Sequence, residues 1–359
     1  MADGGAASAC GGSVKQAALV PGDASTPVEG LAVPPPPVLS VRGLSKRFGE
    51  QVVLRDLSLE IAAGEIFGLI GPSGSGKSTT VHLMCGHLRP SGGELAVFGR
   101  APARFTAAIR RRIGYMPQGF VLYEDLTVEQ NVAFAAGLYG LAEWRSRARI
   151  RETLELVQLW EARGRADRAV SGGMKRRIAL AAALVHDPEL LFMDEPTANL
   201  DPILRARLWE HFRALRERGR TLLVTTQYVD EAEFCDRVGL MYDGALIAVG
   251  QPLSLRRQAF DGDIVEISVE RPSPGYSDRL ADLPGVRATE ERSDAPLRVT
   301  VEDAQRAIPA LVGALEASGA TIQAIAPYQP TFDEVFIRLI ERHGDPRPPA
   351  GRLRTSASE

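Results

Sequence analysis

Short apolar runs, separated by turns and by segments of helical pattern, divide the middle of the chain into alternating strands and helices. Residues 190–193 and 221–225 are almost continuously apolar, as strands are when helices cover both faces of a parallel sheet. Residues 39–41 and 57–61 instead alternate apolar and polar positions, a pattern typical of edge strands. The pattern therefore predicts an α/β domain with a mainly parallel sheet and an antiparallel β layer near its start.

A helical region follows these first strands. Thr127 and Gln130 have the spacing of a capping box, which begins a helix, and apolar residues follow at helical intervals. A second amphipathic pattern runs over residues 143–157. We therefore expect a helical subdomain over about residues 119–170, inside a first domain that spans residues 38–262.

The pattern changes again after this domain and indicates a small α+β domain over residues 263–341. Its predicted order of strands and helices is βαββαβ, which is ferredoxin-like, and a helix over residues 332–341 closes it. The segments that carry the strand and helix patterns are residues 264–269, 276–283, 297–301, 304–315 and 322–325.

The two ends of the chain differ in composition from the middle. Residues 1–37 are rich in Gly, Ala, Ser and Pro, and residues 342–359 are rich in Pro, Arg and Ser. Such segments contain too few apolar side chains to offset the entropy lost when a chain becomes ordered. We therefore predict a disordered tail at each end.

Composition and charge exclude some classes of function. The 359 residues carry a net charge of -3, and no block of Lys and Arg resembles a nucleic-acid-binding stripe, which disfavours nucleic acid as a partner. No apolar run is long enough to span a membrane and no secretion signal precedes the domain, so we expect the chain to remain in the cytoplasm. Cys10, Cys85 and Cys235 have neither disulfide nor metal-ligand spacing and are expected to be small core or surface residues.

One motif predicts specific chemistry. The sequence Gly-Pro-Ser-Gly-Ser-Gly-Lys-Ser matches GxxxxGK[ST], follows the apolar residues 66–70 and precedes a helical pattern. In such a loop the backbone N–H groups bind phosphates, the Lys reaches the β- and γ-phosphate oxygens, and the final Ser binds Mg²⁺. The alternative, a Gly-rich surface turn, does not explain the flanking strand and helix patterns. The predicted nucleotide-binding residues are Gly71, Pro72, Ser73, Gly74, Ser75, Gly76, Lys77, Ser78 and Thr79.

Two carboxylates follow the apolar residues 190–193. Asp194 and Glu195 are therefore expected at the carboxyl end of a parallel strand, where open α/β sheets bind ligands. Alone, the pair could equally be two solvated acids. Together with the phosphate-binding motif, it predicts that Asp194 holds Mg²⁺ and that Glu195 polarises the attacking water as a base.

A second anion-binding position is predicted at Ser171, Gly172 and Gly173. These residues precede a helical pattern over residues 176–186, so a hydroxyl and free N–H groups would lie at a helix N-terminus. Taken alone, such a segment is also what an ordinary helix cap looks like.

Residues 38–255 resemble the ATPase subunits of ABC-type transporters, because the motifs occur in that family's order. The resemblance implies that Phe48 stacks on adenine, that Gln118 senses Mg²⁺ and the γ-phosphate, and that Asp201 communicates across a dimer. It also implies that two copies enclose two nucleotides, each phosphate loop facing Ser171 of the other copy. The alternatives are an ordinary core or exposed aromatic for Phe48 and a polar surface residue for Gln118. The ordered motifs are residues 71–78, Gln118, residues 171–173, residues 191–197 and residues 199–201.

Residues 115–118, 122–127 and 331–336 are similar to the ATPases of ABC-2-type exporters, which include drug-resistance and multidrug members. This resemblance implies a homodimer, or a dimer with a similar ATPase, that uses ATP and Mg²⁺ to power a separate ABC-2-type permease. The chain would meet the membrane only through that permease, at the cytoplasmic face, and the cargo would be drugs or other small molecules. The resemblance places the docking region for the permease in the helical insert, including Phe120 and Tyr123, with core packing as the alternative for both aromatics.

One position departs from the family pattern. Gln227 follows the strand after the Asp-Glu pair, where members usually have His. A carboxamide donates and accepts hydrogen bonds but cannot carry charge near neutral pH as imidazole can. We interpret Gln227 as a γ-phosphate contact of an active ATPase. For the function of the whole chain there are two alternatives. One is a regulatory nucleotide-binding protein with weak turnover, and the other is a soluble ABC ATPase that acts outside transport.

Overall fold

A computed structural model of the chain describes residues 36–119, 122–271, 275–291 and 296–343. Of the tails predicted to be disordered, residues 1–35 and 344–359 lie outside the described residues. Residues 36–37 and 342–343 are described, and Arg342 ends the helix Phe332–Arg342 rather than beginning a tail. Within the described ranges, no helix is both long enough and apolar enough to cross a membrane.

The described residues contain strands and α-helices that we number in chain order. The strands are β1 (Leu39–Phe48), β2 (Gln51–Ile61), β3 (Ile66–Ile70), β4 (Gly92–Val97), β5 (Ile113–Met116), β6 (Leu190–Asp194), β7 (Thr221–Thr226), β8 (Arg237–Tyr242), β9 (Ala245–Gly250), β10 (Asp263–Arg271), β11 (Val286–Glu290), β12 (Leu297–Val301) and β13 (Thr321–Tyr328). The helices are α1 (Lys77–Met84), α2 (Ala107–Arg111), α3 (Val128–Leu138), α4 (Glu143–Leu156), α5 (Gly172–Leu184), α6 (Pro202–Glu217), α7 (Pro252–Phe260), α8 (Tyr276–Ala281), α9 (Ala304–Ala317) and α10 (Phe332–Arg342).

A six-stranded sheet forms the centre of the first domain. Its strand order is β5-β6-β7-β3-β8-β9, and β9 alone among these strands runs antiparallel to its neighbour. Every residue of β3, β6 and β7 is buried, which confirms the prediction that residues 190–193 and 221–225 are internal parallel strands. The carboxyl ends of these three strands lie at the same edge of the sheet.

A three-stranded antiparallel sheet of order β2-β1-β4 forms the predicted β layer. The expectation that residues 39–41 lie in an edge strand is wrong, because β1 is hydrogen-bonded on both sides. The alternating pattern arises because one face of the sheet packs on a core that includes Leu39, Leu57 and Phe67. An alternating apolar and polar pattern shows that one face of a strand is buried. It does not show whether that strand lies at the edge of its sheet.

Helices α3 and α4 form the predicted helical insert. The capping box is confirmed: the N–H of Gln130 donates to the Thr127 hydroxyl over 3.2 Å, and the Thr127 N–H donates to the Gln130 side chain over 2.9 Å. Val132 and Ala136 are fully buried in the larger hydrophobic core, as the helical spacing predicts.

Helix α5 begins earlier than the sequence pattern indicates. The pattern predicts residues 176–186, whereas α5 spans Gly172–Leu184. The difference arises because the Ser171 hydroxyl accepts the N–H of Met174 over 3.3 Å and so caps the helix ahead of the two glycines. This cap offsets the poor helix propensity of Gly.

The C-terminal sheet is antiparallel and has the order β11-β12-β10-β13. With α8 after β10 and α9 after β12, this order is the ferredoxin-like βαββαβ arrangement predicted from the pattern. A separate apolar core lies under the two helices and includes Val265, Val299, Leu311 and Leu315.

The burial of two cysteines confirms a further prediction from the sequence. Cys85 and Cys235 are buried, as expected for small core residues, and burial raises the pKa of both thiols. Cys10 lies outside the described residues.

Helix α10 connects the two parts of the molecule. Its apolar side chains, including Phe336 and Ile340, belong to the same hydrophobic core as the parallel sheet. Its first turn faces the C-terminal sheet, where Arg298 donates to Glu334 over 2.8 Å and to Glu266 over 3.0 Å. The Tyr328 hydroxyl also donates to Glu334, over 2.8 Å. The closing helix therefore packs on one part and is ion-paired to the other.

Candidate functional site

The loop after β3 is shaped by its glycines. A Cβ at Gly71 would lie 2.2 Å from the carbonyl oxygen of Met241, so a larger residue does not fit there. Gly74 and Gly76 have φ values of +81° and +102°, a region that side chains disfavour, and a Cβ at Gly74 would meet no atom within 4 Å. The loop ends at Lys77, where α1 begins, so open space lies beside backbone amides at a helix N-terminus.

The ammonium of Lys77 is buried at the base of this loop. Its Nζ donates to the carbonyl oxygens of Gly71 over 2.8 Å and of Pro72 over 3.0 Å, and it lies 3.8 Å from Oε1 of Glu195. Burial lowers the pKa of Lys77, while the charges of Glu195 and Asp194 act in the opposite direction. A buried cation with acceptors on two sides is therefore available to a negatively charged ligand.

One oxygen of Asp194 accepts hydrogen bonds from two hydroxyls. The Ser78 hydroxyl donates to Oδ1 over 3.1 Å, and the Thr225 hydroxyl donates to the same atom over 2.6 Å. Asp194 is 1% exposed, so these bonds compensate for the loss of water around its oxygen. They also bring the carboxyl end of β6 against α1 and β7.

The backbone of Glu195 is held in a left-handed conformation, with φ of +49°. Its N–H donates to the carbonyl and to the hydroxyl of Thr225, over 3.1 and 3.0 Å. Its Oε2 accepts the side-chain amide of Gln118 over 2.8 Å. The carbonyl of Gln118 in turn accepts from the Arg176 guanidinium over 2.6 Å. Strand β7 thus holds the backbone of Glu195, and helix α5 holds Gln118, which bonds the carboxylate.

Four further predicted residues lie at the ends of elements. Phe48, the last residue of β1, is 47% exposed, with the Lys46 ammonium 4.7 Å from its ring centre. Gln227 follows β7 directly and is half-buried. Asp201 caps α6 by accepting the N–H groups of Ile203 and Leu204, each over 3.0 Å. Ser171 caps α5, and both Ser171 and Gly172 are exposed.

Known proteins are similar to this chain in sequence. Residues 54–198 match the family model described as ABC transporter, and residues 250–340 match that of the C-terminal domain of DrrA1-3-like ATP-binding proteins. The daunorubicin resistance ATP-binding protein DrrA3 of Streptomyces coeruleorubidus is 37% identical over 302 residues, 84% of this chain and 95% of that protein. The linearmycin resistance ATP-binding protein LnrL of Bacillus subtilis (strain 168) is 32% identical over 307 residues, 85% of this chain and 99% of that protein.

The chain belongs to the ABC transporter ATP-binding proteins. It also resembles the probable multidrug ABC transporter ATP-binding protein YbhF of Escherichia coli (strain K12), at 41% identity over 65% of this chain. It spans 40% of that protein's length. A solved ATP-binding subunit of an ABC transporter aligns with a TM-score of 0.57 at 32% identity, over 62% of this chain and 92% of that one. A dimeric ATP-binding cassette bound to ADP and Pi aligns with a TM-score of 0.55 at 27% identity, over 59% and 98%.

The described residues fit ATP and Mg²⁺. The open loop at Gly74 leaves room for phosphates beside backbone amides. Ser78 and Asp194 offer a hydroxyl and a carboxylate, the hard oxygen ligands that Mg²⁺ prefers. Lys77 adds a buried positive charge at the base of the same loop, which suits the negative charge of phosphates.

The structure joins some predicted residues directly and places others at separate helix ends. Lys77, Ser78, Gln118, Asp194 and Glu195 form one connected set of hydrogen bonds and ion pairs, in which Thr225 joins Asp194 to Glu195 and Arg176 bonds Gln118. Ser171 and Asp201 bond the N–H groups of their own helices instead. Phe48 contacts Lys46 at the end of the antiparallel layer. The nucleotide contacts expected of these residues remain predictions.

Two residues of the connected set are missed by sequence reasoning. Thr225 links Asp194 to the backbone of Glu195, and its signal is a hydroxyl near the end of an otherwise apolar strand. Arg176 is a buried cation in a helix pattern, bonded to the carbonyl of Gln118. Burial lowers the pKa of Arg176, and the charges of Glu195 and Asp194 oppose that change. No pattern in the sequence separates Arg176 from Lys175 and Arg177, the partly buried basic residues beside it.

Proposed function

We propose that this chain binds and hydrolyses ATP as the nucleotide-binding subunit of an ABC-2-type exporter. The observation that carries the proposal is the connected set around Glu195, in which a buried carboxylate is held by Gln118 and lies beside the buried ammonium of Lys77. Hydrolysis of a phosphoanhydride needs a site that binds the phosphates and a base positioned beside it. The anion-binding loop and the carboxylate supply these two groups.

Each residue of the site has its own role in the proposed hydrolysis. The N–H groups of the loop and the ammonium of Lys77 bind the phosphates and stabilise the charge that develops on them. Glu195 takes a proton from the attacking water at its carboxylate, and Gln118 and the backbone of β7 orient that carboxylate. Mg²⁺, held by Ser78 and Asp194 with Gln118 nearby, would neutralise charge on the phosphate oxygens. Gln227 donates its amide to the γ-phosphate.

A second copy, or a similar ATPase, completes each site. Ser171 and Gly172 are exposed at the N-terminus of α5, where free N–H groups attract an anion. In one copy the hydroxyl of Ser171 serves only to cap its own helix. The exposed segment 171–173 would therefore bind the γ-phosphate held by the loop of the other copy, and Asp201 would lie close to that junction.

An apolar surface on the helical insert is the proposed docking site for the permease. The ring of Tyr123 packs edge to face against that of Phe134, at 4.8 Å between centroids, and both rings are about half exposed. Leu138 and Trp144 are 71% and 72% exposed. Phe120 lies outside the described residues. Large exposed apolar side chains clustered on one subdomain favour a protein partner.

The relatives support a proposal for the cargo, and the proposed permease gives the location. Daunorubicin and linearmycin resistance proteins suggest that drugs or other small molecules are exported. The chain would sit at the cytoplasmic face of the cell membrane, bound to its permease. A regulatory protein with weak turnover is the second candidate, and Gln227 in place of the usual His is the observation that favours it.

Sedimentation of the Glu195→Gln variant tests the assembly. This variant keeps the size of the side chain and removes the base, so MgATP should bind without turnover and dimers should accumulate. MgADP is the matched control ligand and should leave monomers. Replacement of Ser171 by Arg in the same variant should prevent the dimer. A Glu195→Gln protein that remains monomeric at saturating MgATP contradicts the proposed assembly.

Membrane fractionation tests the partner. The chain should enter the membrane fraction only when it is co-expressed with its permease. Phe134→Glu should abolish this association, whereas Leu253→Glu, a charge placed on the exposed apolar residue of α7, should not. Salt-resistant membrane binding of the chain alone would contradict attachment through a permease.

A further inference from the structure

A buried polar cluster lies behind the site and takes no direct part in the chemistry described above. Glu231 is 0% exposed, and its Oε2 accepts the hydroxyl of Thr197 over 3.1 Å. The guanidinium of Arg205, also buried, has its Nε 3.8 Å from Oε1 of Glu231. We call Thr197, Arg205 and Glu231 the Glu231 cluster.

The cluster joins the two segments that flank the proposed γ-phosphate position. Thr197 is two residues after Glu195 and leads into the left-handed turn at Asn199, which has φ of +59°. Glu231 is four residues after Gln227, in the 3₁₀ turn Val229–Phe234. The bond between Thr197 and Glu231 therefore fixes the backbone after Glu195 to the backbone after Gln227.

Arg205 contacts the segment that carries Gln227 at two residues, Glu231 and Tyr228. Its guanidinium lies 4.0 Å from the ring centre of Tyr228, which directly follows Gln227. The N–H of Tyr228 donates to the Thr226 hydroxyl over 3.0 Å, so the turn that carries Gln227 is held from both ends. Arg205 itself is in the first turns of α6, directly after the segment that begins at Thr197.

Burying the Glu231 cluster costs free energy, so stability alone does not explain it. A carboxylate and a guanidinium lose their water on burial, and apolar residues of similar volume often stabilise a core as well or better. Burial raises the pKa of Glu231, while the hydrogen bond from Thr197 and the charge of Arg205 oppose the increase. Directional bonds at fixed places are what such a cluster supplies and an apolar core does not.

We propose that Glu231 is a positioning residue for hydrolysis, which through Thr197 and Arg205 holds Glu195 and Gln227 at a fixed separation across the γ-phosphate. The inference rests on the proposed function and extends it to a residue that does not touch nucleotide. It predicts that loosening the cluster lowers kcat while the apparent affinity for MgATP stays nearly the same.

The hydroxyl of Thr197 allows a test with little change in shape. Thr197→Val removes the hydroxyl and keeps the volume, so kcat should fall about tenfold while KM for MgATP stays within about twofold. Thr197→Ser restores the hydroxyl and should recover most of kcat. Thr153→Val is the matched control: its hydroxyl is also buried and bonded, to backbone carbonyls within α4, and its loss should leave kcat unchanged.

A double-mutant cycle separates positioning from general loss of stability. Glu231→Gln should also lower kcat, and combining it with Thr197→Val should lower kcat less than the product of the two separate effects. Circular dichroism and the Tm of each variant identify any that does not fold, and Glu231→Gln then tests the inference alone.

The possible failures are distinguishable. A parental chain that binds MgATP without hydrolysing it contradicts the proposed function, and the inference with it. An active parental chain whose Thr197→Val and Glu231→Gln variants keep the parental kcat overturns the inference alone. The same holds if Thr197→Ser loses as much activity as Thr197→Val.

Discussion

The side-chain amide of Gln118 donates to Oε2 of Glu195 over 2.8 Å, while Oε1 of the same carboxylate lies 3.8 Å from the Lys77 ammonium. Both oxygens of the proposed base are therefore oriented by groups from other elements. The Arg176 guanidinium donates to the backbone carbonyl of Gln118 over 2.6 Å. A shift of α5 would therefore move Gln118 and change the orientation of the Glu195 carboxylate. The helix that carries the exposed Ser171 is thus connected by two hydrogen bonds to the proposed base.

Gln118→Ala should lower the rate of hydrolysis by about ten- to a hundredfold, because one oxygen of Glu195 loses its donor and the predicted contact to Mg²⁺ is lost. Single-turnover hydrolysis at saturating MgATP measures this step apart from binding. Gln305→Ala, at an exposed position of α9, is the control and should behave as the parental chain. An unchanged rate for Gln118→Ala would assign Gln118 to the surface rather than to the site.

Gln227→His should retain turnover within about tenfold, roughly 1.4 kcal/mol, because both side chains can donate to the γ-phosphate. Gln227→Ala should lose more, since no donor remains. Phosphate release under single-turnover conditions compares the three proteins. If Gln227→Ala hydrolyses ATP at the parental rate, Gln227 is only a polar residue at the end of β7.

Glu334→Gln should weaken the attachment of α10 to the C-terminal sheet in a pH-dependent way. Burial alone would raise the pKa of Glu334, but hydrogen bonds from Arg298, Tyr328 and the backbone of Thr331 hold it below its ordinary value. A carboxyl group whose pKa is lowered on folding stabilises the protein above its ordinary pKa, and that contribution is lost as the pH falls through the lowered value.

The Tm of Glu334→Gln should therefore be below that of the parental chain at pH 7, and the difference should shrink in acid. Gln can still accept the Thr331 N–H, so the helix cap is kept and the change isolates the ion pair. Glu316→Gln, at an exposed position of α9, serves as the control. A Tm deficit that is equal at every pH would speak against the ion pair as its cause.

The phosphate loop and the two carboxylates are predictable because their signals are local. Consecutive residues from Gly71 to Ser78 specify the loop, since its turn needs glycine at fixed places. Asp194 and Glu195 follow from an apolar strand that ends where parallel sheets bind ligands. The start of α5 is not predictable from helix propensity, because the Ser171 cap overrides the low helix propensity of two glycines.

The contacts that join distant segments are not predictable from one sequence. Thr197 and Glu231 are 34 residues apart, and no periodic pattern relates them. An amphipathic helix over residues 332–341 is predictable, but an apolar stripe states only that one face is buried. The structure adds that α10 packs on the core of the parallel sheet, which includes Phe336.

Steady-state phosphate release by the parental chain and by Glu195→Gln, with ATP binding measured on the same preparations, tests the central claim most directly. The parental chain should hydrolyse MgATP, and Glu195→Gln should bind it with similar affinity but release phosphate about 10²- to 10⁴-fold more slowly, the usual contribution of a general base. Parental rates for Glu195→Gln, or binding without hydrolysis by the parental chain, would contradict the account.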